Sequence, residues 1–143
     1  MCFPASRKAS LGLVLAVLGV GAIGVALRPE PVQAVSGIET VTVDDVAALL
    51  SDKRVHIYDA NSARRFAQGH VPGAVHLPLD EINRSRLPAD TAARLIFYCW
   101  NGICDSSHEA AERATSLGYT NVSVMSAGIS GWTKAGKPME TTR

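Results

Sequence analysis

Short β-rich runs alternate with helical segments from residue 42 onward, and this alternation constrains the fold more than any other feature. The β-rich runs are residues 54–58, 74–77, 94–98 and 122–125. The run 94–98 is almost continuously apolar, which is typical of a strand that is buried on both faces of a sheet. Strands that alternate with helices usually form a parallel sheet between two layers of helices. We therefore expect one α/β domain within residues 38–143.

The predicted helices are recognised by their apolar spacing and by the residues at their ends. Thr42 with Asp45, and Ser106 with Glu109, have the spacing of a capping box, in which each side chain binds the other residue's backbone N–H group. The two pairs predict the starts of the first and the longest helix. The predicted helices are 42–50, 62–68, 79–86, 106–117 and 129–135.

The first 34 residues have the features of an export signal or a membrane anchor. Arg7 and Lys8 precede an uncharged apolar run, residues 9–27, and a small-residue cleavage site ends at Ala34. These are the three parts of a secretory signal peptide. The run could equally remain as an apolar helix, since its length of about 28 Å approaches the bilayer core of about 30 Å. Either outcome predicts an exported, periplasmic or otherwise extracytoplasmic domain, with membrane contact only through residues 9–27.

The charge balance argues against a nucleic-acid partner. The chain has 14 Lys and Arg against 13 Asp and Glu, and its net charge is +1. No basic stripe covers the folded part, which binding to a phosphate backbone would require. The three cysteines are too few for a multi-bridge scaffold, and no Cys and His residues have structural-zinc spacing. We expect neither a metal nor another cofactor.

Cys99 is the candidate nucleophile because it directly follows the buried run 94–98. Parallel sheets bind ligands beyond the carboxyl ends of their strands. The loop Cys99–Asp105 then leads into a helix, so backbone N–H groups and the helix dipole are expected to stabilise an anion and lower the pKa of the thiol. The residues expected to form this anion loop are Trp100, Asn101, Gly102, Ile103, Asp105 and Ser106. The alternative is a cysteine that only fills the core.

Five short motifs follow one another between residues 59 and 132. They are Asp59-Ala-Asn61, Phe66-Ala-Gln-Gly-His-Val-Pro-Gly-Ala-Val75, Tyr98-Cys99, Leu117-Gly-Tyr-Thr-Asn-Val122 and Gly128-Ile-Ser-Gly-Trp132. In this order they resemble rhodanese-like domains over about residues 38–140. The resemblance implies a three-layer fold with a mostly parallel five-stranded sheet. It also implies a thiosulfate sulfurtransferase-like enzyme, in which Cys99 carries sulfane sulfur as a persulfide and passes it to a thiol or other nucleophile. The partners would be a small sulfur-donor anion or a protein persulfide or thiol.

Two departures from the family pattern concern the cations of the site. Many members have Arg or Lys five residues after the cysteine, but Cys104 stands there and Asp105 follows. The usual Asp-x-Arg is Asp59-Ala-Asn61. An acidic side chain beside a dianion is repulsive, which argues against efficient use of thiosulfate.

A subset of exported rhodanese-like domains is similar to this chain in its Cys-x4-Cys loop. The matching residues are Cys99, Cys104 and the string Ser107-His-Glu-Ala-Ala111. Phosphatases on the same scaffold need an Arg six residues after the cysteine, where this chain has Asp105. The loop therefore lacks the guanidinium that would bind phosphate through two hydrogen bonds, and hydrolysis of phosphate monoesters is not expected.

The remaining candidates have open roles. Cys104 can resolve a persulfide or sulfenate on Cys99 by forming a disulfide, or it can be structural. His70 is expected to support the turn that contains it. His108, one turn into the helix, either assists the Cys99 thiolate or is only exposed. Asp59 and Asn61 are expected to support the site from the end of a strand.

Three functions fit these observations. The first is a sulfurtransferase that uses Cys99. The second is a non-catalytic rhodanese-like module that binds a protein partner outside the membrane. The third is thiol–disulfide exchange through Cys99 and Cys104.

Overall fold

The computed structural model describes residues 37–142, and five strands form one sheet within them. Every pair of neighbouring strands is parallel, and their order across the sheet is β1-β5-β4-β2-β3. The strands are β1 (Glu39–Thr40), β2 (Val55–Asp59), β3 (Val75–His76), β4 (Arg94–Tyr98) and β5 (Val122–Val124). The predicted α/β fold is confirmed, and the described sheet is wholly parallel. The predicted leader 1–34, with its apolar helix, lies outside the described residues.

Three of the four described α-helices connect strands, and the fourth follows β5. The four helices are α1 (Val43–Leu49), α2 (Ala63–Gln68), α3 (Ser106–Ser116) and α4 (Gly128–Lys134). The capping box predicted for the first helix is present: the Thr42 hydroxyl accepts a bond from the Asp45 N–H group at 3.1 Å, and the Asp45 carboxylate accepts one from the Thr42 N–H group at 2.9 Å. The Thr42 hydroxyl also donates to the Asp45 carboxylate at 2.6 Å, and this bond, followed by the one from the Thr42 N–H group, lowers the pKa of Asp45.

The central strand β4 faces two separate apolar clusters. Leu95 and Phe97 are fully buried in one cluster, which includes alanines of α3. Ile96 is fully buried in the other, with Val46 of α1 and Trp132 of α4. Successive side chains of a strand point to opposite faces, so one strand contributes to both cores. Helices therefore cover both faces of the sheet, as predicted.

The helix predicted over residues 79–86 is wrong. Only one 3₁₀ turn, Leu79–Glu81, forms there. Asn83 explains the difference, because its side-chain oxygen accepts bonds from the Ser85 N–H group at 3.0 Å and the Ser85 hydroxyl at 2.6 Å. Local side-chain bonds of this kind compete with the backbone bonds of a helix.

The capping box predicted for Ser106 and Glu109 is also wrong. Ser106 is the first residue of α3, and Asp105 is the N-cap, with a helical backbone and no side-chain capping bond. The Cys104 N–H group already donates to the Asn101 carbonyl at 3.1 Å, so the loop enters the helix while turning. The Glu109 N–H group then bonds to the Asp105 carbonyl at 3.0 Å.

No helix between residues 37 and 142 has both the length and the apolar character that crossing a bilayer requires.

Candidate active site

Cys99 lies where the sequence places it, directly after β4 at the carboxyl edge of the sheet. β4 pairs with β2 on one side and β5 on the other, so the ends of three strands meet beside this residue. The side chain is 1% exposed and packs in the cluster that contains the alanines of α3. Its position matches a nucleophile at the ligand-binding edge of a parallel sheet, while its burial restricts direct access.

A disulfide joins Cys99 to Cys104 across the loop, with 6.3 Å between their Cα atoms. Cys104 is half-buried and lines a surface cavity of about 310 Å³ together with Asn61, Arg65 and Trp100. Ser106 borders the same cavity. In the oxidised loop, the sulfur that borders solvent therefore belongs to Cys104, and Cys99 lies behind it.

The loop N–H groups expected to bind an anion are partly used inside the oxidised loop. The Ile103 N–H group donates to the side-chain oxygen of Asn101 at 3.1 Å, and the Cys104 N–H group donates to the Asn101 carbonyl. The Cys104 carbonyl oxygen is 3.0 Å from the Cys99 Sγ. In the oxidised loop these two N–H groups therefore bind Asn101 rather than the Cys99 sulfur.

Ser107 is the side chain that reaches the Cys99 sulfur. Its hydroxyl donates to the Cys99 Sγ at 3.5 Å, and the residue is 2% exposed. Ser107 was not predicted to be a site residue. A signal was present, because Ser107 shares one helix face with Ala110, Ala111 and Ala114, and that face is buried against the sheet.

The start of α4 holds the backbone of the loop in place. The Ile129 N–H group donates to the Cys99 carbonyl, and the Ser130 N–H group donates to the Trp100 carbonyl, each at 2.9 Å. Gly128 makes this approach feasible: its φ is +60°, and a Cβ there would lie 2.6 Å from the Cys99 carbonyl oxygen. The glycine of the Gly-Ile-x-x-Trp motif therefore lets a helix pack directly against the cysteine loop.

Arg65 supplies the cation that the loop itself lacks. Its guanidinium carbon lies 4.1 Å from the centre of the Trp100 ring, a cation–π contact, and Trp100 is 43% exposed. Arg65 comes from α2, far from the loop in sequence, and was missed because no spacing rule connects it to Cys99. The positive charge beside the disulfide is thus provided from another element.

Asp59 and Asn61 form a buried corner beside the loop. Asp59, which ends β2, accepts bonds from the Asn61 backbone N–H group at 2.8 Å and from its side-chain amide at 2.7 Å. Burial, followed by the nearby Asp59 charge, raises the pKa of Tyr98 far above its usual range. Asn61 reaches the Cys104 cavity, whereas Asp59 is fully buried behind it.

The two candidate histidines differ in surroundings. The His70 Nδ1 donates to the Phe66 carbonyl at 3.0 Å, and the two rings stack with 3.8 Å between their centres. The His70 backbone also pairs with that of Glu140. His70 therefore ties its own turn to a distant segment. His108 is exposed on α3, and its neighbour Ser107 is the residue that faces the sulfur.

The outer part of the loop is open to solvent. Gly102, Ile103 and Asp105 are exposed, with Ile103 at 88%. Between residues 37 and 142, no group of three or more His, Cys, Asp or Glu side chains is arranged to hold a metal ion. The site brings together two sulfur atoms, with the Ser107 hydroxyl near one and the Arg65 guanidinium beside the loop, and thiol–disulfide chemistry is available to such a pair.

Comparison with known proteins agrees with this geometry. The family model of the rhodanese-like domain matches residues 42–135. The thiosulfate sulfurtransferase GlpE of Haemophilus influenzae is 34% identical over 86 residues, which cover 60% of this chain and 80% of that protein. The human thiosulfate:glutathione sulfurtransferase is 30% identical over 100 residues, which cover 59% and 84%. The crystal structure of BH2092 from Bacillus halodurans has the same fold, with a TM-score of 0.68, 23% identity, and coverage of 73% and 77%.

Proposed function

The chain belongs to the rhodanese-like family, and we propose that it is a sulfurtransferase whose nucleophile is Cys99. The observation that carries this proposal is the position of Cys99 at the carboxyl edge of β4, with the Ser107 hydroxyl on its sulfur. The names of the sulfurtransferase relatives support the same chemistry. Arg65 beside the loop offers a charge that attracts an anionic sulfur donor.

The proposed cycle begins with reduction of the Cys99–Cys104 disulfide by two equivalents of a thiol. The Cys99 thiolate then attacks the sulfane sulfur of a donor such as thiosulfate. The donor's S–S bond breaks, and sulfite leaves with the electron pair. A nucleophile, such as an acceptor thiolate, next attacks the outer sulfur of the persulfide, and Cys99 leaves as a thiolate. Each step breaks one bond to sulfur and forms another.

Mass spectrometry of the reduced, desalted domain tests this proposal. Incubation with thiosulfate or polysulfide is expected to add the mass of one sulfur atom to the peptide that contains Cys99. The Cys99→Ser variant should take up no sulfur. Absence of any adduct on reduced, folded wild-type protein would contradict the proposal and favour a module that only binds a protein partner.

Thiol–disulfide exchange is a second candidate, favoured by the bond between Cys99 and Cys104. The two functions differ in their need for Cys104. A sulfurtransferase retains persulfide formation in a Cys104→Ser variant, because the Cys99 thiolate attacks the donor without the help of a second cysteine. An exchange enzyme loses all catalysis of disulfide reduction in that variant, since no intramolecular disulfide can form. Measuring both activities in the same variant decides between the two functions.

We also propose that residues 1–34 export the domain or anchor it to a membrane. The composition of this segment supports export, and an oxidising compartment accords with a loop disulfide. Expression of the full chain in a bacterium, followed by fractionation and intact-mass measurement, tests the proposal. Cleavage is expected to leave Val35 as the first residue, while an anchor leaves the full mass in the membrane fraction. Full-length protein in the cytosolic fraction would contradict both forms.

A further inference from the structure

A groove of about 370 Å³ runs between α2 and α4 beside Trp100. We call it the Trp100 groove, and its main lining residues are Arg65, Gln68, Trp100, Ile129, Lys134 and Met139. Its volume lies within the range of about 300–1,000 Å³ that is usual for small-molecule sites. The groove differs from the smaller cavity beside Cys104, although Arg65 and Trp100 line both.

The groove combines an apolar surface with positive charge. Trp100, Ile129 and Met139 provide the apolar part, and Trp100 and Met139 are 43% and 44% exposed. Arg65 and Lys134 provide two cations, and none of the lining residues between 37 and 142 is Asp or Glu. Among residues 37–142, neither cation has a carboxylate within ion-pair distance. The lining therefore complements an organic molecule that carries a negative charge.

The same elements fix the groove relative to the reactive sulfur. The hydrogen bonds from α4 to the Cys99 and Trp100 carbonyls attach the Ile129 side of the groove to the loop. The stacking of Arg65 on Trp100 attaches the α2 side. Arg65 also borders the Cys104 cavity, so one guanidinium lines both the groove and the cavity beside the cysteine pair.

We propose that the Trp100 groove is the site of the sulfur acceptor and that Arg65 and Lys134 select thiols bearing a carboxylate. The inference rests on the proposed sulfurtransferase function and names its acceptor class. An inorganic donor needs no apolar surface, whereas Trp100, Ile129 and Met139 offer one to the carbon skeleton of an organic thiol.

The transfer step is balanced without a further reactant. The bound thiolate attacks the outer sulfur of the Cys99 persulfide and forms a new S–S bond. The bond between that sulfur and the Cys99 Sγ breaks, and its electron pair stays on Sγ. The products are an acceptor persulfide and the regenerated Cys99 thiolate.

Single-turnover kinetics on preloaded persulfide test the acceptor site. The probes are glutathione, which is anionic, 2-mercaptoethanol, which is neutral, and cysteamine, which is cationic. Arg65→Gln and Lys134→Gln are each expected to lower the ratio of the glutathione rate constant to the 2-mercaptoethanol rate constant about tenfold, because a charge-assisted bond to the carboxylate is lost. Arg65→Glu is expected to shift the preference toward cysteamine. S-methylglutathione has no free thiol and cannot accept sulfur. When it occupies the groove, it is expected to slow the transfer of sulfur to glutathione.

Lys53→Gln is the matched control, because it also removes one positive charge. Lys53 lies just before β2, at the amino-terminal ends of the strands, whereas Cys99 lies at their carboxyl ends. The control variant should leave the ratio unchanged. The mass of the protein is measured before each reaction to verify that Cys99 carries sulfur. This measurement tests the sulfurtransferase function separately from the acceptor site. Failure to load wild-type Cys99 would contradict the sulfurtransferase function, whereas normal loading with an unchanged ratio in Arg65→Gln and Lys134→Gln would overturn the acceptor site.

Discussion

Within residues 37–142, the Ser107 hydroxyl is the side-chain group that donates a hydrogen bond to the Cys99 sulfur. Ser107 is buried and donates to it at 3.5 Å. After reduction, a donor at this position stabilises the thiolate more than the thiol. Ser107 thus influences how much of the nucleophile is charged at a given pH, although it takes no part in bond exchange.

Substitution of Ser107 by Ala is expected to raise the pKa of the reduced Cys99 thiol. At a pH below that pKa, the rate of alkylation should fall about 2- to 10-fold, the equivalent of one net hydrogen bond. The pH dependence of the alkylation rate, followed by peptide mass spectrometry, measures the shift. Ser116→Ala, at the other end of α3, serves as the control. An unchanged pH profile in Ser107→Ala would show that the hydroxyl does not act on the thiolate.

The residues of the site differ in whether they could be predicted from the sequence. Cys99 could be predicted because its position depends on the strand directly before it. Ser107 could have been found from the buried stripe of α3. Arg65 could not, because it meets Trp100 only after the chain has folded, and an exposed arginine on a short helix has no distinguishing pattern. A contact between exposed side chains that are far apart in the sequence produces no periodic pattern in that sequence.

The junction between the cysteine loop and α4 is the element that positions the site. Two backbone bonds from α4 end on carbonyls of the loop, and Gly128 leaves the space for them. The loop is therefore supported by backbone atoms, whose positions vary little with side-chain identity. Any side chain at Gly128 would push the loop and the helix apart.

Gly128→Ala is expected to destabilise the domain by about 2–5 kcal/mol, since a positive φ and a steric clash are combined. Gly136→Ala provides a matched control, because its φ is +67° but its Cβ would meet no atom within 4 Å. The control should cost only about 1–2 kcal/mol. Urea unfolding measures both values. Equal losses for the two variants would contradict a steric role for Gly128.

Elements differ in how well their sequence specifies them. The start of α1 was predictable because Thr42 and Asp45 bind each other's backbone N–H groups. The start of α3 was not, since the preceding loop already has a helical backbone and displaces the N-cap to Asp105. The helix predicted over residues 79–86 does not form, because the Asn83 side chain accepts hydrogen bonds from Ser85 and stabilises a turn instead. Such competition is decided by energies that the apolar pattern does not report.

The whole molecule is organised around β4, which contributes to the cores on both faces of the sheet. Neither core is independent of the other, because adjacent residues of one strand fill them. The alternating pattern of the sequence was enough to predict this architecture. It did not indicate β1, whose two residues are exposed and too few to form a pattern.

Leu95→Ala and Ile96→Ala are expected to lower the free energy of unfolding by about 2–5 kcal/mol each, since each leaves a cavity in a different core. Val75→Ala is the control: this residue lies on the edge strand β3 and is 52% exposed. Its loss should be within about 0.5 kcal/mol. Chemical denaturation of the three variants checks the values. A small loss for only one of the two β4 variants would show that one face contributes little to stability.

The contrast between the two tryptophans of the chain gives the loop an optical reporter. Trp132 is fully buried, whereas Trp100 is exposed beside the disulfide and under a guanidinium. A dissolved anion such as iodide can therefore quench the emission of one indole while the other stays shielded. Because Trp100 directly follows Cys99, opening the disulfide is expected to change the surroundings of this indole. Fluorescence can thus follow the redox state of the loop in real time, with no label attached.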